Sequence, residues 1–175
     1  MLKRKINITM EKQINTQASN IAWKGKKVLG SHSGTIDLKE GKFLFENDEI
    51  IGGEFIMDMT TITVTDLKGD DKAGLEGHLN SDDFFGVDNH PTSKLVITSL
   101  AKKDDGTYGV VGDLTIKDNT HPVTFDLDHR NDTATTKLSI DRSKYNVKYN
   151  SGSFFSGLGD QTIYDNFDLN IELKF

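Results

Sequence analysis

A chain of 175 residues suits one domain, and a formal charge of −6 argues against general nucleic-acid binding, which needs clustered Lys and Arg. Only 35% of the residues are hydrophobic, a lean content that suits sheets with one wet face better than helices layered on both sides. With no cysteine, disulfides, thiolate chemistry and Cys-ligated zinc are excluded, and no apolar run approaches the ~18 residues of a membrane-spanning helix.

The N-terminus opens with the basic group Lys3, Arg4 and Lys5 but lacks the apolar run of a signal peptide, because polar residues separate Ile6, Ile8 and Met10. Residues 1–13 are therefore expected as a flexible tail and 14–175 as a single domain. As it stands the chain is expected in the cytoplasm, or in the periplasm where a signal has been removed.

From Ile21 onward, period-two alternation dominates, broken by Gly, Asn and Asp turns. Ile21 and Trp23 alternate, then Gly34, Ile36 and Leu38, with His32 on the same inward parity. Glu40-Gly41 predicts a turn into Phe43 and Phe45, and Asn47-Asp48 a turn into Phe55, Met57 and Met59. The stretch 66–89 does not alternate, and Gly69, Gly74 and Gly77 oppose a long helix there. Within it, Ser81 followed by Asp82, Asp83, Phe84 and Phe85 predicts an N-cap opening a short helical turn.

Alternation resumes at Leu95, Ile97 and Ser99, and Asp105-Gly106 is a strong hairpin signal. Val110, Gly112, Leu114 and Ile116 share one parity on the returning strand. Val123, Phe125 and Leu127 follow, then an Asn131-Asp132 turn, then Leu138 and Ile140. The chain closes with Phe167, Leu169, Ile171, Leu173 and Phe175 alternating with Asp168, Asn170, Glu172 and Lys174. About eight strands joined mostly by short loops predict an all-β fold. It is an antiparallel up-and-down meander closed into a lipocalin-like barrel to remove its edges, with a short helical segment in the long crossover loop.

Catalytic chemistry finds little support in these residues. The histidines at 32, 78, 90, 121 and 129 fall in different loops and strands without metal-ligand spacing, so no metal site is expected. Gly30-Ser31-His32-Ser33-Gly34 puts His32 where a nucleophile elbow needs serine. The aspartates at 70, 71, 82, 83, 104 and 105 cluster in loops and match no calcium loop. An inward His32 is either a core histidine with a hydrogen-bond partner or a polar anchor for a ligand head. The inward aromatics are equally open to two readings, since an eight-stranded barrel is wide enough to be packed solid or to hold one small ligand.

The run Gly77-His78-Leu79-Asn80-Ser81-Asp82-Asp83-Phe84-Phe85 resembles the signature of the YceI-like family of bacterial lipid-binding proteins, of the form GHLxSxDFF. In the family's order, Gly52-Gly53, Asp58-Met59-Thr60-Thr61-Ile62, Gly112-Asp113-Leu114-Thr115-Ile116 and Pro122-Val123 agree as well. Asp141-Arg142-Ser143-Lys144-Tyr145 resembles its DRxxFG segment. The resemblance covers 14–175. It departs at Tyr145-Asn146, where Phe-Gly is common, at Asp118-Asn119, where a Gly is usual, and in lacking the family's secretory signal.

The resemblance implies an elongated apolar interior holding a polyisoprenoid chain or similar amphiphilic lipid, with no catalytic residue, and a homodimer as one form of the family. On that basis the expected ligand-binding residues are Trp23, His32, Ile36, Phe43, Phe45, Phe55, Met57, Phe84, Phe85, Leu95, Ile97, Leu114, Phe125, Leu127, Ile140, Phe167 and Leu169. No cofactor is expected beyond a bound isoprenoid or fatty lipid, no nucleic-acid partner, and no stable membrane insertion. Phe84 and Phe85 are expected to plug a barrel end, His78 to hydrogen-bond the loop, and Asp141 and Arg142 to pair with loop carboxylates or backbone. Lys24, Lys26 and Lys27 are the nearest cations for a charged head group. Two other readings stand beside the carrier: a solidly packed barrel acting as an interaction or stress-related module for a protein partner, and a hydrolase or isomerase working through His32.

Overall fold

The computed structural model describes residues 8–175, so the basic group at Lys3, Arg4 and Lys5 lies outside the described residues. Eight strands close an antiparallel barrel in the order β2 (Asn20–Lys27), β9 (Ile163–Lys174), β8 (Thr133–Asp141), β7 (Asn119–Arg130), β6 (Tyr108–Ile116), β5 (Thr92–Lys102), β4 (Glu49–Val64) and β3 (Gly30–Glu46), which returns to β2.

A ninth strand, β1 (Thr9–Gln13), comes from the segment expected as a tail. Its place has a simple cause. The first half of β3 pairs with β2, but the second half is free on that side, and β1 fills it with Met10 opposite Phe45 and Lys12 opposite Phe43. Unpaired strand edges are liabilities, and a short extra strand covers this one.

The turn expected at Glu40-Gly41 is instead a bulge inside one continuous strand of 17 residues. Leu38 faces Met57 while Glu40 faces Ile56, so the inward parity changes from even (Gly34, Ile36, Leu38) to odd (Gly41, Phe43, Phe45). An extra residue in one strand produces this flip without ending the ladder. Asn47-Asp48 does form the expected turn, with φ of 51° and 66°, the positive pair of a type I′ hairpin.

The long crossover contains a full helix, α1 (Gly69–Asn80), despite its glycines. Asp70 and Asp71 stand in its first turn, where they complement the helix dipole. Glu76 accepts the Val64 backbone N–H at 2.9 Å and fastens the helix to β4. Tertiary docking thus overrides weak propensity. Ser81 caps the C-terminal end of this helix rather than opening a new one: its hydroxyl and its N–H both donate to the His78 carbonyl, at 2.6 and 3.1 Å. Residues 82–85 follow as a hydrogen-bonded turn.

β7 and β8 pair only from Leu127–Arg130 to Thr133–Thr136, and beyond that they part. A 3₁₀ turn at Arg142–Tyr145 packs into the opening. The opposite end of the barrel is closed by aromatic rings in edge-to-face contact, Phe43 lying 5.0 Å from Phe55 and 5.3 Å from Phe175 between ring centroids.

Candidate functional site: the barrel interior

The inward parity of the strands does not produce a solid core. Ile36, Met57, Leu95, Ile97, Phe125, Leu138, Phe167 and Leu169 point inward yet remain only half-buried, because a cavity of about 240 Å³ reaches them. The cavity runs along the barrel, bordered by both Ile21 and Lys27 of β2. Six residues of tilted strand make that roughly 15 Å along the axis. At its deep end stand Phe43, Phe55 and Leu127; at the rim stand Lys26, Lys27, His32 and Tyr164, with Leu75 and Leu79 of α1 and Phe85 beyond them. Most side chains on its wall are apolar.

The structure brings Trp23, His32, Ile36, Phe43, Phe55, Met57, Phe84, Phe85, Leu95, Ile97, Leu114, Phe125, Leu127, Ile140, Phe167 and Leu169 onto this one wall. Phe45 stands apart from it. The ring is buried in the closed end, 5.8 Å from Phe175 and 5.4 Å from His129 by centroids, so Phe43 and Phe55 separate it from the void. Sequence reasoning omitted Ile21, Leu38, Met59, Ile62, Ile116, Val123, Ile163, Ile171 and Leu173, which also border the cavity. Most share the parity of named neighbours, so the alternation itself carried their signal. Leu75 and Leu79 carried none, because the helix that brings them was not expected.

Several polar groups near the mouth have partners. His32 Nδ1 lies 2.9 Å from the Asp66 carboxylate, which also accepts the Ser33 N–H at 3.1 Å. Burial raises the Asp66 carboxyl, but the hydrogen bonds from His32 and Ser33 outweigh it and hold the group below the ordinary carboxylate range. Trp23 donates its indole N–H to the Thr35 carbonyl at 3.1 Å, and its ring lies over Gly34, where a Cβ would come within 2.5 Å of it. Of the three lysines considered for a head group, Lys26 and Lys27 border the mouth and Lys24 does not; Lys26 also pairs with Asp168 at 2.9 Å. The histidines are dispersed: His78 beside Asp83, His90 beside Asp118, His121 against Tyr145, and His129 against Phe45 and Phe175.

A model of the YceI-like domain matches residues 13–175, nearly the whole chain. The chain belongs to the YceI-like family. Relatives of this YceI-like chain include a UPF0312 protein of Shewanella denitrificans, 34% identical over 85 residues (49% of this chain and 42% of that one). A UPF0312 protein of Staphylococcus epidermidis is 30% identical over 114 residues, covering 54% and 62%. The matched stretches span about half the length of these curated relatives. Among solved structures, Burkholderia cenocepacia BcnA aligns with a TM-score of 0.69 at 18% identity, covering 91% of this chain and 98% of that one. A polyisoprenoid binding domain from Saccharophagus degradans, implicated in plant cell wall breakdown, aligns with a TM-score of 0.62 at 11% identity, covering 92% and 95%. At such identities the likeness shows the shared fold.

The YceI-like signature residues cover part of the helix-bearing end, beside the mouth of the cavity. Phe84 is buried under the His78 ring, which stands edge-on to it at 4.8 Å and to Tyr149 at 4.4 Å. Lys117 pins this plug by donating from Nζ to the carbonyls of Phe84 at 2.8 Å and Asn146 at 3.1 Å, and burial pushes its ammonium below the usual lysine range. Arg142 is buried and gives its guanidinium to three backbone carbonyls: Tyr164 at 3.1 Å, Val147 at 2.8 Å and Ile163 at 2.9 Å. The departures from the family pattern have a conformational answer. Asn146 adopts φ 61° and Asp118 φ 61°, the left-handed region where Gly is favoured and Asn and Asp are the best-tolerated alternatives.

Proposed function

We propose that this YceI-like barrel binds a slender amphiphilic lipid of isoprenoid type, tail inward, and carries it without chemical change. The observation that carries this reading is the drawn-out, mainly apolar cavity inside the barrel, where a solidly packed interaction module would have closed up. Its volume of about 240 Å³ lies just below the roughly 300–1,000 Å³ usual for small-molecule sites. A thin chain suits such a bore better than a fused ring system. The fold shared with a polyisoprenoid binding domain supports the same class of ligand.

The driving force is burial of hydrocarbon, ideally about 0.8 kcal/mol for each CH₂. Ordering a flexible chain reduces this to roughly 0.3 kcal/mol per heavy atom for a large ligand, so affinity should rise with the length of chain the bore encloses. A polar head would remain at the rim beside Lys26, Lys27 and the His32–Asp66 pair.

Mass spectrometry of an organic extract from natively purified protein tests the reading. A stoichiometric isoprenoid or fatty lipid, absent from a denatured control, is the expected result. A clean extract together with failure to bind added quinones, polyprenols and fatty acids would exclude the carrier role.

A further inference from the structure

We propose that the rim of the open barrel end is a docking surface for the anionic face of a phospholipid membrane. Isolated exposed apolar side chains are ordinary on a soluble protein, but their concentration is informative. Of the eight large apolar side chains exposed among the described residues, five lie on this rim: Val28, Leu29, Phe154, Phe155 and Tyr164. Val28 and Leu29 form the tip of the β2–β3 hairpin, and Leu29 is 70% exposed.

Backbone hydrogen bonds hold these groups together as one surface. The Val28 N–H donates to the Thr162 carbonyl at 3.1 Å, and the Ile163 N–H donates to the Asn150 carbonyl at 2.9 Å. The start of β9 therefore joins the hairpin on one side to the loop carrying Phe154 and Phe155 on the other. Both phenylalanine N–H groups bond back to the Ser151 carbonyl, so the loop is shaped rather than slack.

The charge around these tips fits a membrane rather than a protein groove. Lys24, Lys26 and Lys27 lead along β2 to the Val28–Leu29 tip, and Lys148 places its ammonium 4.8 Å from the Phe154 ring centre. Apolar tips with lysines beside them can enter the headgroup boundary while the ammonium groups meet anionic phosphates. Acidic groups temper the field: Asp160, the Asp168 partner of Lys26, Asp66 beside His32, Asp165 bonded to Ser151 and Ser153, and Asp82 and Asp83, which line a hollow with Phe155 and Lys148. The chain's net charge of −6 acts weakly here, since screening confines the interaction to within about 10 Å.

The surface is continuous with the cavity. Lys26, Lys27 and Tyr164 border the mouth, so a docked barrel presents its opening to the bilayer and a lipid tail can pass without crossing water. That passage rests on the carrier reading; the docking does not.

Flotation with vesicles of phosphatidylcholine alone, or with 30% phosphatidylglycerol by design (about one lipid in three), tests the docking directly on the full chain, without any cargo. Binding is expected only to the anionic vesicles, weakening with salt, and falling about fivefold for each of Lys24→Gln and Lys27→Gln. Leu29→Asp should abolish it while leaving the far-ultraviolet circular dichroism unchanged. Leu29→Trp should show a fluorescence blue shift on adding the same vesicles. Absence of binding to anionic vesicles, binding unchanged in Leu29→Asp, or a rim that instead pairs two copies of the chain in light scattering would each overturn the proposal. Because cargo is read by mass spectrometry and docking by flotation, failure of one is separable from failure of the other.

Discussion

The ring of Tyr145 stands edge-on to that of His121, centroids 5.3 Å apart and planes at 87°, in the opening where β7 and β8 separate. Tyr145 is 1% exposed and fills space that a strand pair would otherwise close. Tyr145→Ala should lower unfolding free energy by about 3–5 kcal/mol in urea titration, the usual range for deleting a buried aromatic. Tyr145→Phe, which conserves the ring, should stay within about 1.5 kcal/mol.

Arg142 is held in place by geometry as much as by charge. Burial pushes its guanidinium down, opposed by the nearby Asp165 and Asp141, and three carbonyls converge on its planar fork. Lysine cannot reproduce that fork. Arg142→Lys should therefore cost about 2 kcal/mol or more, since each stranded carbonyl loses roughly 1–3 kcal/mol of satisfaction. A denaturation midpoint equal to that of the unsubstituted protein would show that the carbonyls find water instead.

Ile97 points into the cavity and is half-buried. Ile97→Trp should obstruct the bore at a stability cost of about 1–3 kcal/mol or less, because the added ring enters existing space. On the carrier reading, lipid recovered per mole of protein should drop at least tenfold. Undiminished recovery would move the binding site elsewhere.

Acid should weaken the fold through two carboxylates. Asp66 is held low as described. Asp165 is raised by burial but more strongly lowered by hydroxyl donation from Ser151 and Ser153 and by Arg142. A carboxyl depressed in the folded state takes up its proton at lower pH than in the unfolded chain. Its stabilisation is therefore complete above the unfolded value near pH 4 and is lost as pH falls through the folded value. Urea midpoints should be level from pH 7 to about 5 and fall below it, with a shallower fall in Asp66→Asn and Asp165→Asn. Equal slopes in the variants and the parent would assign the acid sensitivity to other groups.

The strands and the inward parity that ends on one cavity wall were legible because alternation is a local signal: an apolar residue every second position is what a half-wet strand requires. The Asn47-Asp48 turn and the Asn131-Asp132 turn were legible for a similar reason, since positive φ restricts which residues stand there. What remained hidden depends on partners distant in the chain. The bulge near Lys39 that moved Phe43 and Phe45 onto the opposite parity exists only against β4. Helix α1 forms through its docking on Val64, and β1 through a vacant edge of β3, neither of which a residue announces alone. Most of all, alternation states which side chains face inward but not how far apart facing walls stand. Only closure of the eight strands sets that distance, and with it decides between a packed core and the cavity.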